Sequence, residues 1–227
     1  MCFSATASFA AAAMLVPAGL YCLKKSNDID QRYWVLAMLP LLFGLQQLLE
    51  GGVWVALTAG DAAAARGFTF GFLFFSHFVW LGWIPYSSYL TEARAGRKRL
   101  FLATAWAGVL MGTYMYVPLF FMPAWVDVSI VRQAIDYDLV FALDRYLSQP
   151  LQTVFYGLII LLPLLLSSDL YHRVLGGMVL VAALVTLTLF DWVFISVWCY
   201  FAAIISLYIF FMVTRRVQVA RLPDVVS

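Results

Sequence analysis

Seven long apolar segments fix the kind of fold that this chain can adopt. A bilayer core about 30 Å thick requires about 20 apolar residues from each helix that crosses it. Charged residues make up 11% of the 227 positions and hydrophobic residues 64%, a composition that excludes a water-soluble core. The sequence therefore predicts an all-α integral membrane protein, one seven-helix domain over 1–227, with spans near 4–23, 33–58, 68–91, 100–120, 150–167, 174–191 and 194–214.

The apolar run from 174 to 214 is too long for one span, because a single helix of that length would greatly overshoot the membrane. Asp191 and Trp192 lie at its middle, where a tight turn would return the chain to the interface. The run therefore predicts a sixth and a seventh helix. The seventh contains no lysine, which excludes a retinal Schiff base, a familiar chemistry of seven-helix membrane proteins.

The positive charges predict the orientation of the bundle, since cationic loops favour the cytoplasmic side of a membrane. Eleven of the fourteen lysines and arginines follow the odd-numbered spans, and only Arg66, Arg132 and Arg145 fall on the other side. We therefore expect the amino terminus outside and residues 215–227 as a cytoplasmic tail. The basic clusters indicate contact with the lipid bilayer and no nucleic-acid partner.

The connection at 121–149 is much longer than the other loops and predicts a structure of its own. Within it Ile135, Tyr137 and Leu139 alternate with Asp136 and Asp138, a period of two that is typical of a strand with one apolar face. We expect a short β-hairpin over the outer mouth of the bundle, between the fourth and fifth helices. A surface helix along the interface is the alternative.

Glu50 is the first candidate for a functional residue, because it is a carboxylate well inside a predicted span. Burial of a carboxylate at such depth costs on the order of 2.5 to 3.5 kcal/mol on insertion scales, so it should be protonated, paired or in a wet cavity. Gln46 and Gln47 lie four and three positions earlier, on the same side of the helix. Gly44 and Gly51 permit close helix approach, so this polar stripe is expected to face protein.

His77 is the second candidate, near mid-depth in the third span. Because the second and third spans are adjacent, Glu50 and His77 lie at depths that would permit contact. Such a pair could hold or relay a proton. The alternative is a neutral histidine that donates to a backbone carbonyl or to Gln47. We predict ligand-binding roles for Glu50, His77, Gln46 and Gln47.

Several familiar sites lack their residues in this chain. His77 and His172 are its two histidines, too few for a zinc held by three and poorly placed for a haem held by two. Phosphate-binding glycine loops and nucleophile elbows are also missing. Cys2 and Cys199 are both expected near the outer face, either as a disulfide or as packed thiols. The sequence predicts no metal site and leaves the cofactor unknown.

Two stretches of sequence resemble a known family. The opening Met-Cys-Phe-Ser-Ala-Thr-Ala-Ser-Phe and the run Leu42-Phe43-Gly44-Leu45-Gln46-Gln47-Leu48-Leu49-Glu50-Gly51 resemble a family of uncharacterised bacterial multi-pass membrane proteins. The resemblance is one of residue identity over the first two spans and of the pattern of spans over the later part of the chain. It implies a bacterial inner membrane location and assigns no residue a role.

These patterns favour one function and leave two alternatives. We expect a small ligand or lipid to bind in an outer-half cavity that contains Glu50 and His77, for sensing or transport. The first alternative is an intramembrane lipid hydrolase in which Glu50 or His77 activates water. The second is an accessory subunit without a ligand, in which Glu50 would be enclosed and paired with a buried partner.

Overall fold

The computed structural model describes residues 4–26, 28–189 and 194–221, the side chains of 219–221 excepted. Within them, seven helices are long and apolar enough to cross a membrane, which confirms the predicted number of spans. Cys2 and the turn predicted at Asp191 and Trp192 lie outside the described residues. In chain order the helices are α1 (Ala5–Ser26), α2 (Gln31–Ala59), α3 (Ala62–Thr91), α4 (Ala95–Phe121), α5 (Gln149–Leu166), α6 (Leu170–Leu189) and α7 (Phe194–Arg221).

Three helices extend five or more residues beyond the predicted spans. The third begins at Ala62 instead of 68, and the fourth begins at Ala95 instead of 100. The seventh continues to Arg221, through part of the predicted tail. An apolar run marks only the part of a helix suited to hydrocarbon, whereas backbone hydrogen bonds continue the helix among polar residues.

Two residues, Gly60 and Asp61, connect α2 to α3. Gly60 has a φ of 71°, a left-handed conformation that ends a helix and favours glycine. The Asp61 Oδ1 then accepts a hydrogen bond from the Ala64 N–H at 3.0 Å and caps the start of α3. The short link forces α2 and α3 to run antiparallel, side by side.

The third helix is irregular at its middle. It consists of an α-helix at Ala62–Phe74, a π-turn at Phe75–Val79 and a second α-helix at Trp80–Thr91. A π-turn adds one residue to a helical turn and is frequent at functional sites. Here the extra residue offsets the side chains that follow the π-turn relative to those that precede it, so the two parts of α3 do not share one continuous face.

Glycines allow the closest helix contacts. A Cβ atom on Gly19 of α1 would lie 2.3 Å from the Leu41 backbone nitrogen of α2. A Cβ atom on Gly108 of α4 would lie 1.9 Å from the Leu81 carbonyl oxygen of α3. Since neither distance is tolerable, both pairs of helices pack backbone to backbone only because glycine has no side chain.

The connection between α4 and α5 forms the predicted β-hairpin, so the surface-helix alternative is wrong. Strands β1 (Val126–Val131) and β2 (Ala134–Leu139) pair antiparallel through a two-residue turn. Arg132 and Gln133 have φ of 45° and 64°, the left-handed values that such a turn requires. One face of β2 is buried, and the Tyr137 ring stacks on Phe72 of α3 with 4.8 Å between centroids. We call this side of the bundle the hairpin end.

Polar contacts join several helix termini at the opposite end. Asp169, between α5 and α6, pairs with Arg216 of α7 and accepts a hydrogen bond from the Tyr33 hydroxyl of α2 at 3.2 Å. The backbone N–H of Ser168 donates to Glu92, just after α3, at 2.8 Å. The start of α2 therefore lies beside the ends of α3, α5 and α7, as an up-and-down bundle requires.

Candidate functional site

Glu50 lies inside the bundle with none of its surface exposed. Its Oε1 accepts a hydrogen bond from the Ser196 hydroxyl of α7 at 2.5 Å, and its Oε2 accepts one from the Gln47 Nε2 at 3.0 Å. The first bond joins α2 to α7, and the second lies within one turn of α2. The carboxyl group therefore faces protein, as the sequence predicts, and it connects two helices.

Gln46 and Gln47 are also fully buried, but they point to different partners. The Gln46 Oε1 accepts a hydrogen bond from the Trp80 indole N–H of α3 at 2.9 Å. The Gln46 Nε2 and the Gln47 Oε1 have no hydrogen-bond partner among the described residues. The Gln47 Oε1 thus remains available beside the Glu50 carboxyl, whereas the Gln46 side chain also contacts Cys199.

His77 lies on the π-turn of α3 with 4% of its surface exposed. Its Nδ1 is 2.8 Å from the hydroxyl oxygen of Ser76, and its ring centroid is 5.3 Å from that of Phe141. The Ser76 hydroxyl is also within 3.3 Å of the Phe72 carbonyl, to which it can donate. In that arrangement Nδ1 carries the proton and donates to Ser76, so the lone pair lies on Nε2.

The π-turn is held in place from α5. The Tyr156 hydroxyl donates to the Ser76 carbonyl with 2.5 Å between the oxygens. A π-turn leaves a carbonyl without its usual partner in the helix, and a side chain from a neighbouring helix can supply that partner. Tyr156 therefore fixes the backbone carbonyl just before His77.

A cavity of about 640 Å³ opens beside His77 at the hairpin end. Its wall is built from the π-turn, β2, the first turns of α5 and the start of α7. Small-molecule sites in proteins have volumes of roughly 300 to 1,000 Å³, so this cavity is of suitable size. Its lining includes Ser76, His77, Met115, Asp136, Asp138, Phe141, Gln152, Thr153, Tyr156, Leu187, Phe194, Ile195, Trp198 and Cys199.

A second cavity of about 40 Å³ lies deeper in the bundle, among apolar side chains of α2, α3 and α5 to α7. Tyr156, Trp198 and Cys199 line both cavities and separate them. Cys199 also interacts with the side chains of Gln46 and Glu50. Cys199 therefore links the buried polar side chains of α2 to the wall of the large cavity.

Of the four predicted ligand-binding residues, the structure places His77 alone in the wall of the large cavity. Glu50, Gln46 and Gln47 are buried in the bundle, and none of the three lines either cavity. Among the described residues, the Glu50 carboxyl bonds to Ser196 and Gln47 and makes no hydrogen bond to His77. The two side chains thus take separate partners: Glu50 bonds to α7 and to its own helix, whereas His77 bonds to Ser76 and lies beside Phe141.

Sequence reasoning missed several residues of the cavity and the partner of Glu50. Tyr156 and Gln152 lie in an apolar helix, where nothing in the spacing distinguishes them from residues of an interfacial belt. Ser196 carries no signal either, since serine is common in membrane helices. The acidic residues of β2 were visible as an alternating pattern, which predicted the strand and gave no indication of a cavity beside it.

Within the described residues, no group of three or more histidine, cysteine, aspartate or glutamate side chains is placed to hold a metal ion. Cys199 is buried in α7. Because its predicted disulfide partner Cys2 lies outside the described residues, that bridge stays a prediction.

Seven apolar helices, a buried intramembrane carboxyl group and a cavity under a hairpin define a multi-pass helical membrane protein. The chain belongs to the family of unknown function DUF6629, whose family model matches residues 1–223. That match agrees with the resemblance to an uncharacterised family found in the sequence. No curated protein and no solved structure matches the chain.

Proposed function

We propose that this protein binds a small ligand or lipid in the large cavity at the hairpin end, for sensing or transport. The observation that carries the proposal is a cavity of about 640 Å³ next to a buried histidine on a π-turn. The ligand would contact the Nε2 of His77, since Nδ1 is engaged with Ser76. Apolar and aromatic side chains of α4, α6 and α7 would surround the rest of the molecule.

We propose a supporting role for Glu50, Gln46 and Gln47 in this site. Glu50 bonds to Ser196, which follows Ile195 and precedes Trp198 and Cys199, all three in the cavity wall. Gln46 bonds to Trp80, three residues after His77. The three side chains would therefore position α7 and α3 around the ligand without contact to it.

We propose that the hairpin end faces outside and the opposite end the cytoplasm of a bacterium, in the inner membrane. The uneven distribution of lysines and arginines between the two sides supports this orientation. Contacts at the opposite end agree with it, since Arg216 lies beside Asp169 and Arg97 donates to Ser168 at 3.3 Å. Basic residues near the start of α4 and near the end of α7 thus lie on one side, where anionic headgroups would bind them. A ligand would then enter from the outer side.

One observation favours the accessory subunit as a second candidate function. Glu50 is fully enclosed and paired, as that alternative predicts. The same alternative gives no reason for a cavity beside His77. The hydrolase would need a second acid or a metal near Glu50 or His77, and elemental analysis of the purified protein for a bound metal tests its metal-dependent form.

Native mass spectrometry of the gently solubilised protein tests the proposed function. We expect a non-covalent adduct on the wild-type protein. Thr153→Trp places a large side chain in the cavity wall and should remove the adduct. Leu158→Trp is the matched control, because Leu158 lies on the same helix with 51% of its surface exposed and outside the cavity lining. A wild-type protein without adduct, or an adduct that survives Thr153→Trp, would contradict the proposal.

Two substitutions of His77 test its role. His77→Asn keeps a polar atom near the position of Nδ1, so the contact with Ser76 survives, and it removes Nε2. His77→Gln can place a polar atom near Nε2. We expect His77→Asn to lose more of the adduct than His77→Gln. The reverse order would mean that the ligand does not contact Nε2.

A further inference from the structure

The charged residues in the cavity lining are all acidic. Asp136 and Asp138 of β2 line the cavity, and its lining contains neither lysine nor arginine. The ion pairs of the described residues lie elsewhere, at Asp28, Asp30 and Asp169. The described lining of the cavity therefore offers a ligand negative charge.

The hairpin concentrates this negative charge. Its register places Asp127 directly opposite Asp138, and like charges in opposed positions destabilise a strand pair. Burial, followed by the nearby Asp138 and Asp127 carboxylates, raises the pKa of the Asp136 carboxyl. A cation in the cavity would relieve this repulsion.

His77 provides an independent indication that a polar group binds here. The ring has 4% of its surface exposed, it lines the cavity, and its Nδ1 is engaged with the Ser76 hydroxyl. With the proton on Nδ1, Nε2 accepts a hydrogen bond. A ligand in the cavity that donates an N–H would therefore find an acceptor in this ring.

Aromatic rings complete the set of groups that bind organic cations. Phe141, Tyr156, Phe194 and Trp198 line the same cavity. The face of an aromatic ring attracts an ammonium group, most strongly where water is excluded. Met115, Leu187 and Ile195 supply apolar surface for the remainder of such a molecule.

We propose that the ligand of this cavity is an organic ammonium compound, with its cationic N–H group between the acidic edge of β2 and His77 and its apolar part against α4, α6 and α7. This inference rests on the proposed function and adds the chemical class of the ligand. The two carboxylates should disfavour anionic amphiphiles of the same size.

Three probes of one carbon skeleton test the class: phenylbutylamine, phenylbutanol and phenylbutanoate. Their binding to the full chain in nanodiscs of zwitterionic lipid is measured by titration calorimetry, with empty nanodiscs as the blank. We expect the ammonium probe to bind about tenfold more tightly than the alcohol, and the carboxylate to bind weakest, since each charge contact contributes on the order of a tenfold change. Thr153→Trp should abolish binding of all three.

The double variant Asp136→Asn with Asp138→Asn should bring the ammonium probe to the affinity of the alcohol and leave the alcohol unchanged. Asp127→Asn is the matched control, because Asp127 is on the same hairpin and outside the cavity lining. It should change the ratio of the two affinities by less than about twofold. An Asp127→Asn effect equal to that of the double variant would overturn the assignment.

The remaining outcomes separate the two proposals. Equal binding of the ammonium and alcohol probes, both abolished by Thr153→Trp, would overturn the ligand class and leave the cavity as a binding site. Binding of none of the probes, or binding that Thr153→Trp does not change, would overturn the ligand class and the proposed function together.

Discussion

Glu50 is held by two donors, one from its own helix and one from α7. A carboxyl group in the interior of a bundle that should lie in hydrocarbon is tolerated when its oxygens are satisfied by neighbouring groups. The Ser196 bond spans 146 residues of sequence, so it fixes the position of the last helix relative to the second. At the scale of one residue, Glu50 is therefore an interhelical connector.

Replacement of Glu50 by alanine should destabilise the protein more than replacement by glutamine. Glu50→Ala removes the acceptor of two buried donors, at a cost of roughly 1 to 3 kcal/mol for each group left unsatisfied. Glu50→Gln keeps an oxygen for Ser196, and its new N–H₂ group can donate to the Gln47 Oε1, which has no partner in the described structure. Thermal unfolding in detergent should give Glu50→Gln a melting temperature close to that of the wild type.

Ligand retention in the same two variants shows whether Glu50 positions α7 or contacts the ligand directly. If Glu50 only positions α7, Glu50→Gln should keep the adduct seen by mass spectrometry and Glu50→Ala should reduce it. Loss of the adduct in Glu50→Gln, with unchanged melting, would mean that the carboxyl acts on the ligand directly. Equal stability of Glu50→Ala and wild type would contradict the connector role.

The sequence predicted which residues of α2 would be polar and buried, because depth and helical spacing follow from position along an apolar run. It could not predict that His77 and Glu50 take separate hydrogen-bond partners. His77 lies on the π-turn at Phe75–Val79, where side-chain positions differ from those of a regular helix. The run Phe74 to Phe78 contains no proline or glycine that would mark the irregularity.

At the scale of helices and strands, the hairpin was predictable and the cavity was not. Alternation at Ile135, Tyr137 and Leu139 is a local pattern, whereas the turn between the strands uses Arg132 and Gln133, neither of which is typical of left-handed positions. The cavity forms where β2 meets α5 and α7, elements that are distant in sequence. Its existence depends on tertiary packing alone.

The contact between α3 and α4 gives a prediction at the same scale. Gly108→Ala would place a Cβ atom 1.9 Å from the Leu81 carbonyl oxygen, so the helices must separate. Overpacking of this kind costs roughly 1 to 3 kcal/mol. Gly67→Ala is the matched control in α3, since no atom lies within 4 Å of its added Cβ, and it should be stabilising by roughly 0.5 to 1 kcal/mol.

Unfolding of the two glycine variants by increasing fractions of sodium dodecyl sulfate would measure the difference. We expect Gly108→Ala to unfold at a lower detergent fraction than the wild type and Gly67→Ala at an equal or higher one. Similar behaviour of both variants would mean that α3 and α4 are not in backbone contact at Leu81.

At the scale of the whole molecule, the two ends of the bundle are built differently. The hairpin end carries a cavity with acidic residues in its wall, whereas the opposite end is closed by a network around Asp169. The Arg216 guanidinium lies over the Tyr33 and Tyr171 rings at 4.6 and 5.1 Å while it pairs with Asp169. The network joins α2, α6 and α7, so a ligand that opened this end would have to break it.

The Asp169 network predicts a pH dependence of stability. Burial alone would raise the pKa of Asp169, but the interaction with His172, the Tyr171 N–H and the Arg216 charge outweigh it and lower the pKa from 3.8 to about 2. A carboxyl whose pKa is lower in the folded state stabilises the fold above the unfolded-state value, and that contribution disappears as the pH falls through the folded-state value. The shift corresponds to about 2 kcal/mol.

Asp169→Asn should therefore be less stable than the wild type at neutral pH by about 2 kcal/mol, and the difference should shrink between about pH 4 and pH 2 as the wild-type carboxyl is protonated. Unfolding in detergent at several pH values measures it. The control is Asp28→Asn, which removes an exposed pair with Lys25 at 2.9 Å and should cost less than about 1 kcal/mol. A difference between Asp169→Asn and wild type that stays constant down to pH 2 would show that folding does not lower the pKa of Asp169. The opposite end would then be closed by packing of Tyr33, Tyr171 and their apolar neighbours alone.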